Sequence, residues 1–263
     1  MTHITESGHQ RPGSVRPGHV RAAHARAAHV RTLRRRLSCA TPSACIAFAL
    51  LGAVSVLGGC DRADDGNELQ KVNGSVHVVA GKAPDAAGTV NGSIDIDDNA
   101  AVTAASTVNG AINLGAHATA DTSKTVNGNV TIGAGAHVAR QVESVNGGLT
   151  LRDGAEVLGA LANVNGKIQL TAAHVGGGIK TVNGNITIYG ASRVEGGILV
   201  QRTSGIINFG NNVPRIEIGP GAIVQGDLRF EREVKLYVSD KATIGPITGA
   251  TPISFTGDTA PAN

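Results

Sequence analysis

The 263-residue chain has no tryptophan, two tyrosines, four phenylalanines and one methionine. With an N-terminal leader set aside, its first aromatic ring is Tyr189. A core built from what remains must rely on small and β-branched side chains, and a narrow one has no room for bulky rings. The scarcity also leaves no aromatic platform for a carbohydrate before Tyr189. Cysteine is limited to Cys39, Cys45 and Cys60. No Lys or Arg occurs between Lys82 and Lys124, which argues against an active site pairing acids with bases around Asp95, Asp97 and Asp98. These three read as solvated loop acids.

What is present begins with a leader. Residues 1–36 hold eight Arg, five His and one acid, Glu6, and an apolar run, IAFALLGAVSVL, follows from Ile46 to Leu57. That run is too short to span a bilayer as a helix but suits the h-region of a signal peptide. Leu57-Gly58-Gly59-Cys60 resembles a bacterial lipobox, in which cleavage precedes a lipid-modified cysteine. The expected organisation is a signal peptide over 1–59 and a lipidated Cys60 with an acidic tether over 60–70. Lipidation also accounts for a lone exported thiol, because Cys39 and Cys45 lie upstream of the cut. Asp61 leans toward inner-membrane retention within a bacterial cell envelope. The n-region is long: RAAHARAAHVR is either an extension or lies upstream of a later start at Val30 or Leu33.

Removing the leader reverses the charge. The chain has 23 basic and 20 acidic residues, of which the leader carries eight and one, leaving 15 and 19. A net −4 leaves no basic patch for nucleic acid.

The remainder repeats. VNG recurs with its Asn at Asn73, Asn91, Asn109, Asn127, Asn146, Asn165 and Asn183, in steps of 18 or 19 residues. Asn-Gly between apolar residues is a strong hairpin signal, but a hairpin fails on parity. Across a two-residue turn Val90 pairs with Ser93, and Thr89 with Ile94, so neither ribbon face becomes apolar. A parallel β-solenoid resolves this. Each period is one coil and Asn-Gly is a corner, expected to use the left-handed backbone that Asn and Gly tolerate. With the Val before Asn as position zero, positions 0, 4, 6, 12 and 16 are expected to face inward, with Ala118, Ala136 and Ala155 filling tight places. The seven Asn side chains are expected to form a ladder along the axis. Counting the paired apolar positions predicts an all-β fold, a single solenoid of about nine coils over 71–248. An insertion at 201–213 and a flexible tail at 249–263 complete it.

VNGNITI, VEGGI, VQGDL, IGAGAHV and IGPGAIV resemble the repeats of the bactofilins, polymer-forming β-solenoid proteins of bacteria. The resemblance covers about residues 70–248 and implies a right-handed triangular helix and end-to-end polymerisation; a left-handed hexapeptide helix is the alternative. The lipobox departs from the cytoskeletal members and puts a cytoskeletal role in doubt.

Candidate chemistry is sparse. His117, His137 and His174 are expected in one outward column with Glu156 and Arg193, a solvated face. His117, His137 and Glu156 are weak candidates for a divalent metal, and no metal or other cofactor is expected. Thr89, Thr107, Thr125 and Thr181, interrupted by Ser144 and Asn163, form a column consistent with strand propensity, and only as a lesser alternative with a ligand- or ice-binding surface. The expected function is a non-catalytic structural or scaffolding lipoprotein. Its partners would be the membrane, through the lipid on Cys60, and further copies, envelope proteins or cell-wall polymer. The alternative is a solenoid acyltransferase or polysaccharide-acting enzyme using the His column.

Overall fold

Residues 67–202 and 213–262 are described by a computed structural model. The leader, Cys60 with its flanking Leu57, Gly58 and Gly59, and most of the insertion lie outside the described residues. Among those described there is no α-helix, and none long and apolar enough to cross a membrane. All strand pairing is parallel and runs from one coil to the next.

A first face stacks ten strands, from Val76–Val78 through Ile94–Ile96 and Leu149–Leu151 to Pro252–Phe255. Like residues sit on like: Ile94 on Ile112, Leu114 on Ile132, Ile186 on Ile216. The same register resumes beyond the insertion, where Ile188 pairs with Ile218 and Ile198 with Leu228.

The other wall changes along the rod. In the early coils it is one continuous strand, Ala101–Asn109 and then Thr119–Asn127. From the fourth coil it splits into two rows. His137–Val138 pairs with Thr119–Ala120, whereas Val142–Asn146 pairs with Ser123–Asn127. The cause is one added residue: three residues separate Val138 from Val142, but two separate Ala120 from Ser123. The extra residue turns a straight strand into a corner. Core side chains grow with it. The column Ala87, Ala105, Ser123 becomes Val142, Leu161, Ile179, Ile198 and Leu228, all buried. Ser123 sits at the transition, fully buried, and its hydroxyl has no hydrogen-bond partner.

The first coil starts earlier than expected and the last ends later. Glu68–Asn73 already pairs with Ala86–Asn91, so part of the predicted tether is strand. At the other end Pro252–Phe255 pairs with Leu236–Ser239, adding a tenth rung inside the predicted flexible tail. Ala260 and Pro261 are also hydrogen-bonded, to Tyr189 and Arg215.

Two details of the repeat differ from the sequence expectation. The position-zero valines are not core: Val72 is exposed, and Val90, Val108, Val126, Val145, Val164 and Val182 are half-buried. The inward residue is the one before, in the column Thr89, Thr107, Thr125, Ser144, Asn163 and Thr181. A buried hydroxyl must be satisfied, and the preceding coil supplies the acceptor. Thr89, Thr107 and Thr125 donate to the carbonyls of Gly74, Gly92 and Gly110 at 2.9–3.0 Å. Ser144 donates to Gly128, and Asn163 to Gly147. The column is therefore interior and offers no Thr surface for a ligand or for ice.

The Asn-Gly corner is not left-handed as a rule. No Asn of the repeat has positive φ, and of its glycines only Gly74 and Gly166 do. Glycine is needed there for room. A Cβ on Gly110, Gly128 or Gly147 would stand 1.9 Å from the carbonyl oxygen of the corner glycine one coil before. The left-handed column lies at a different corner, following the first face, through Gly81, Asn99, His117, Gly135, Gly154, Ala172, Gly190 and Gly221.

Gly128→Ala, whose backbone conformation alanine tolerates, is expected to destabilise by at least about 1–3 kcal/mol through inter-coil overpacking. Ser123→Ala is expected to stabilise by about 1 kcal/mol, because it removes an unpaired buried hydroxyl. Urea unfolding midpoints of the two variants check both signs.

Candidate functional site

The corner ladder is complete. Side-chain amides donate from Asn91 to Asn73, Asn109 to Asn91, Asn127 to Asn109, Asn146 to Asn127, Asn165 to Asn146 and Asn183 to Asn165, at 2.8–3.0 Å. From Asn91 to Asn165 each carbonyl oxygen is used as acceptor and each amide as donor, so the row ties coils together rather than presenting free groups.

On the second row, period-two alternation points one residue of each two-residue strand outward. Glu156 pairs in register with His137 on one side and His174 on the other, and His174 with Arg193. The side chains form a connected cluster. His137 Nδ1 lies 2.9 Å and His174 Nδ1 3.0 Å from the two oxygens of Glu156. His174 Nε2 and Arg193 Nε each lie 3.3 Å from Glu195 Oε1. Hydrogen bonds from His174 and then His137 hold the Glu156 carboxyl below its ordinary value, and Arg193 and then His174 do the same for Glu195. Beside His137 a shallow cleft of about 200 Å³ is lined by Thr103, Thr119 and Asp121, and Asp121 is held at 3.1 Å by Arg140.

The expected column therefore assembles without His117. That residue occupies the left-handed corner with φ 55°, and its ring stands where a Cβ on Gly135 would be. The shift of two residues along the coil takes it away from His137 and Glu156, so that predicted trio does not form. Among the described residues no group of three or more His, Cys, Asp or Glu is arranged to hold a metal ion. The chemistry open to the observed cluster is proton exchange between two imidazoles and the carboxylate they share.

The three early acids are not free loop acids either. Asp95 accepts from Ser93 at 2.8 Å and Asn113 at 2.7 Å, Asp97 lies 2.7 Å from His77 Nε2, and Asp98 accepts the Ala116 amide at 2.6 Å. Each ties one coil to a neighbour.

No family model, curated protein or solved structure matches the chain.

One group was not anticipated from sequence: Tyr189, Arg215, Glu217 and Tyr237, on the outer side of the first face in coils seven to nine. The available signal was that both tyrosines of the chain fall at outward positions of that face.

The Glu156 shift fixes the sign of a pH effect. Its folded value lies below the ordinary 4.5, so its stabilisation is present above that value and is lost as pH falls through the folded one. Partial exposure keeps the effect below about 1 kcal/mol. Glu156→Gln is expected to flatten the acid limb of stability between about pH 5 and pH 3, read from thermal midpoints across that range.

Proposed function

We propose that the chain is an exported bacterial lipoprotein, tethered to a membrane through lipidated Cys60, whose solenoid is a non-catalytic structural scaffold. The observation that carries this reading is the spacing between address and architecture. The first rung begins at Glu68, eight residues after the lipobox cysteine, and ten rungs follow on the first face. At about 4.8 Å per rung this is a rod of about 4 nm standing on a short tether. The inter-coil rows of Asn amides and buried hydroxyls support rigidity. Among the described residues the strand Glu68–Asn73 is paired on one side, to Ala86–Asn91, and all six of its residues are exposed, as expected of an edge that could receive another strand. This supports self-assembly, as does the likeness of the repeats to the polymer-forming bactofilins.

A second reading, a solenoid enzyme of the acyltransferase or polysaccharide-acting kind, draws on the His137–Glu156–His174 cluster beside its cleft. It requires that a His137→Ala/His174→Ala double substitution reproduce the phenotype of the deletion strain. An unchanged phenotype removes it.

For the scaffold, labelled palmitate is expected to be incorporated by the native chain and not by Cys60→Ala; label retained in the variant overturns the anchor. Electron microscopy of a soluble form beginning at Asp61 is expected to show end-to-end assemblies. Discrete particles of about 4 nm at all concentrations would overturn self-assembly.

A further inference from the structure

The outer side of the first face is polar for most of its length, its central column running His77, Asp95, Asn113, Thr131, Thr150, Gln169 and Thr187. At the C-terminal end it changes character. Glu217 and Tyr237 continue the column, and Tyr189 and Arg215 flank it. The Arg215 guanidinium stacks over the Tyr237 ring, 4.0 Å from its centroid, and is ion-paired with Glu217. Tyr189 Oη donates to Glu217 at 3.1 Å. Four side chains from three coils thus form one platform of two rings, a planar cation and a carboxylate.

The chain's own C-terminal segment reaches two members of the platform, Tyr189 and Arg215. Tyr237 stands at an outward position yet is only 8% exposed. The chain leaves the tenth rung at Phe255, and its last residues return across the outer face. The Ala260 amide donates to Tyr189 Oη at 3.2 Å, and Arg215 Nη2 donates to the Pro261 carbonyl at 2.6 Å. From the tenth rung to Tyr189 in the seventh is about 14 Å, and the chain bends at residues 257–259 as Ala260 reaches the Tyr189 hydroxyl. Burial pushes the Tyr189 phenol up, with the Ala260 amide opposing.

Three features mark this strap as an occupant rather than a part of the solenoid. The hydrogen bonds from Ala260 and to Pro261 use main-chain N–H and C=O groups, which any peptide offers. Residues 256–259 are exposed, and Gly257, with φ 115° and open space around its Cα, makes a hinge just past the last strand. The residue whose carbonyl meets Arg215 is a proline, whose restricted φ lowers the entropy lost on docking.

We propose that Tyr189, Arg215, Glu217 and Tyr237 form a recognition site for a proline-bearing peptide segment of a partner protein, occupied by the chain's own residues 256–262. The strap acts as a tethered competitor whose effective concentration is about millimolar. A partner segment engages when it offers more contacts or when the strap is lifted. The proposal does not depend on lipidation, scaffolding or self-assembly.

The test exploits the composition: with no tryptophan and only Tyr189 and Tyr237 as tyrosines, tyrosine emission reports on the platform alone. In the full chain, Ala260→Pro removes the amide that donates to Tyr189. Acrylamide quenching of tyrosine is expected to rise while far-ultraviolet circular dichroism stays unchanged. A synthetic peptide of residues 256–263 added to this variant is then expected to restore protection saturably, at about millimolar concentration or below. Arg215→Ala in the same background is expected to weaken that binding at least about tenfold. Should Ala260→Pro itself perturb the fold, a chain ending at Phe255 receives the same peptide titration. Absence of saturable protection in a folded, strap-free chain would overturn the proposal, as would protection that Arg215→Ala leaves unchanged.

Discussion

The structure depends on how closely one coil can approach the next at the Asn-Gly corner. There the backbone of one glycine lies against the carbonyl of the glycine one coil before, at a separation that excludes a Cβ. That same carbonyl accepts the buried hydroxyl of the Thr or Ser two residues before the next coil's Asn. The Asn amide, pointing outward, bonds to the Asn below. Thr-Val-Asn-Gly is therefore one mechanical unit, with a buried tie, a close backbone contact and an exposed tie side by side. Only the Val has a modest role, half-covered between them.

This unit explains the division of labour along each coil. A narrow interior lined by Val, Ile, Leu and Ala supplies the favourable transfer of apolar surface from water, but an apolar stack alone specifies register weakly. The polar rows specify it, because a buried hydroxyl displaced by one residue would lose its acceptor, at a cost of about 1–3 kcal/mol each. Outward side chains extend the same logic. Asp95 with Asn113, Asp121 with Arg140, and Glu156 with its two histidines each bridge neighbouring coils. The cluster around Glu156 is thus both a coil-to-coil tie and the region richest in exchangeable protons. The strap at residues 256–262 is different in kind, because it spans coils from outside and is held by main-chain atoms.

Much of the architecture was legible in the chain. The recurrence of VNG and of paired Ile, Leu and Val established a solenoid, and Asn stacking on Asn follows from a near-constant period. The differences between expectation and structure share one physical origin: a repeat period counts residues per coil but does not say which corner they occupy. Coils of 18 residues occur with a straight second wall early in the rod. They recur at Asn165–Asn183, where the added corner residue is offset by one missing before Ala173. The same ambiguity placed His117 with His137, when two residues of offset put it on a left-handed corner. Parity around Asn-Gly likewise depends on the corner geometry, which residue spacing does not encode, and that geometry turns Thr89 inward in place of Val90.

The sequence by itself determined the fold class, the stacking of like residues and the absence of bulky rings from most of the core, because these follow from periodicity and composition. Tertiary structure decided three further matters. It showed that threonine rather than valine faces inward, because a glycine carbonyl one coil away was there to receive its hydroxyl. It removed His117 from the column of His137, Glu156 and His174 and brought Glu195 to His174, because strand register and not residue count sets which side chains meet. And it drew Tyr189, Arg215, Tyr237 and Pro261 together across some seventy residues of chain, a contact no local pattern encodes.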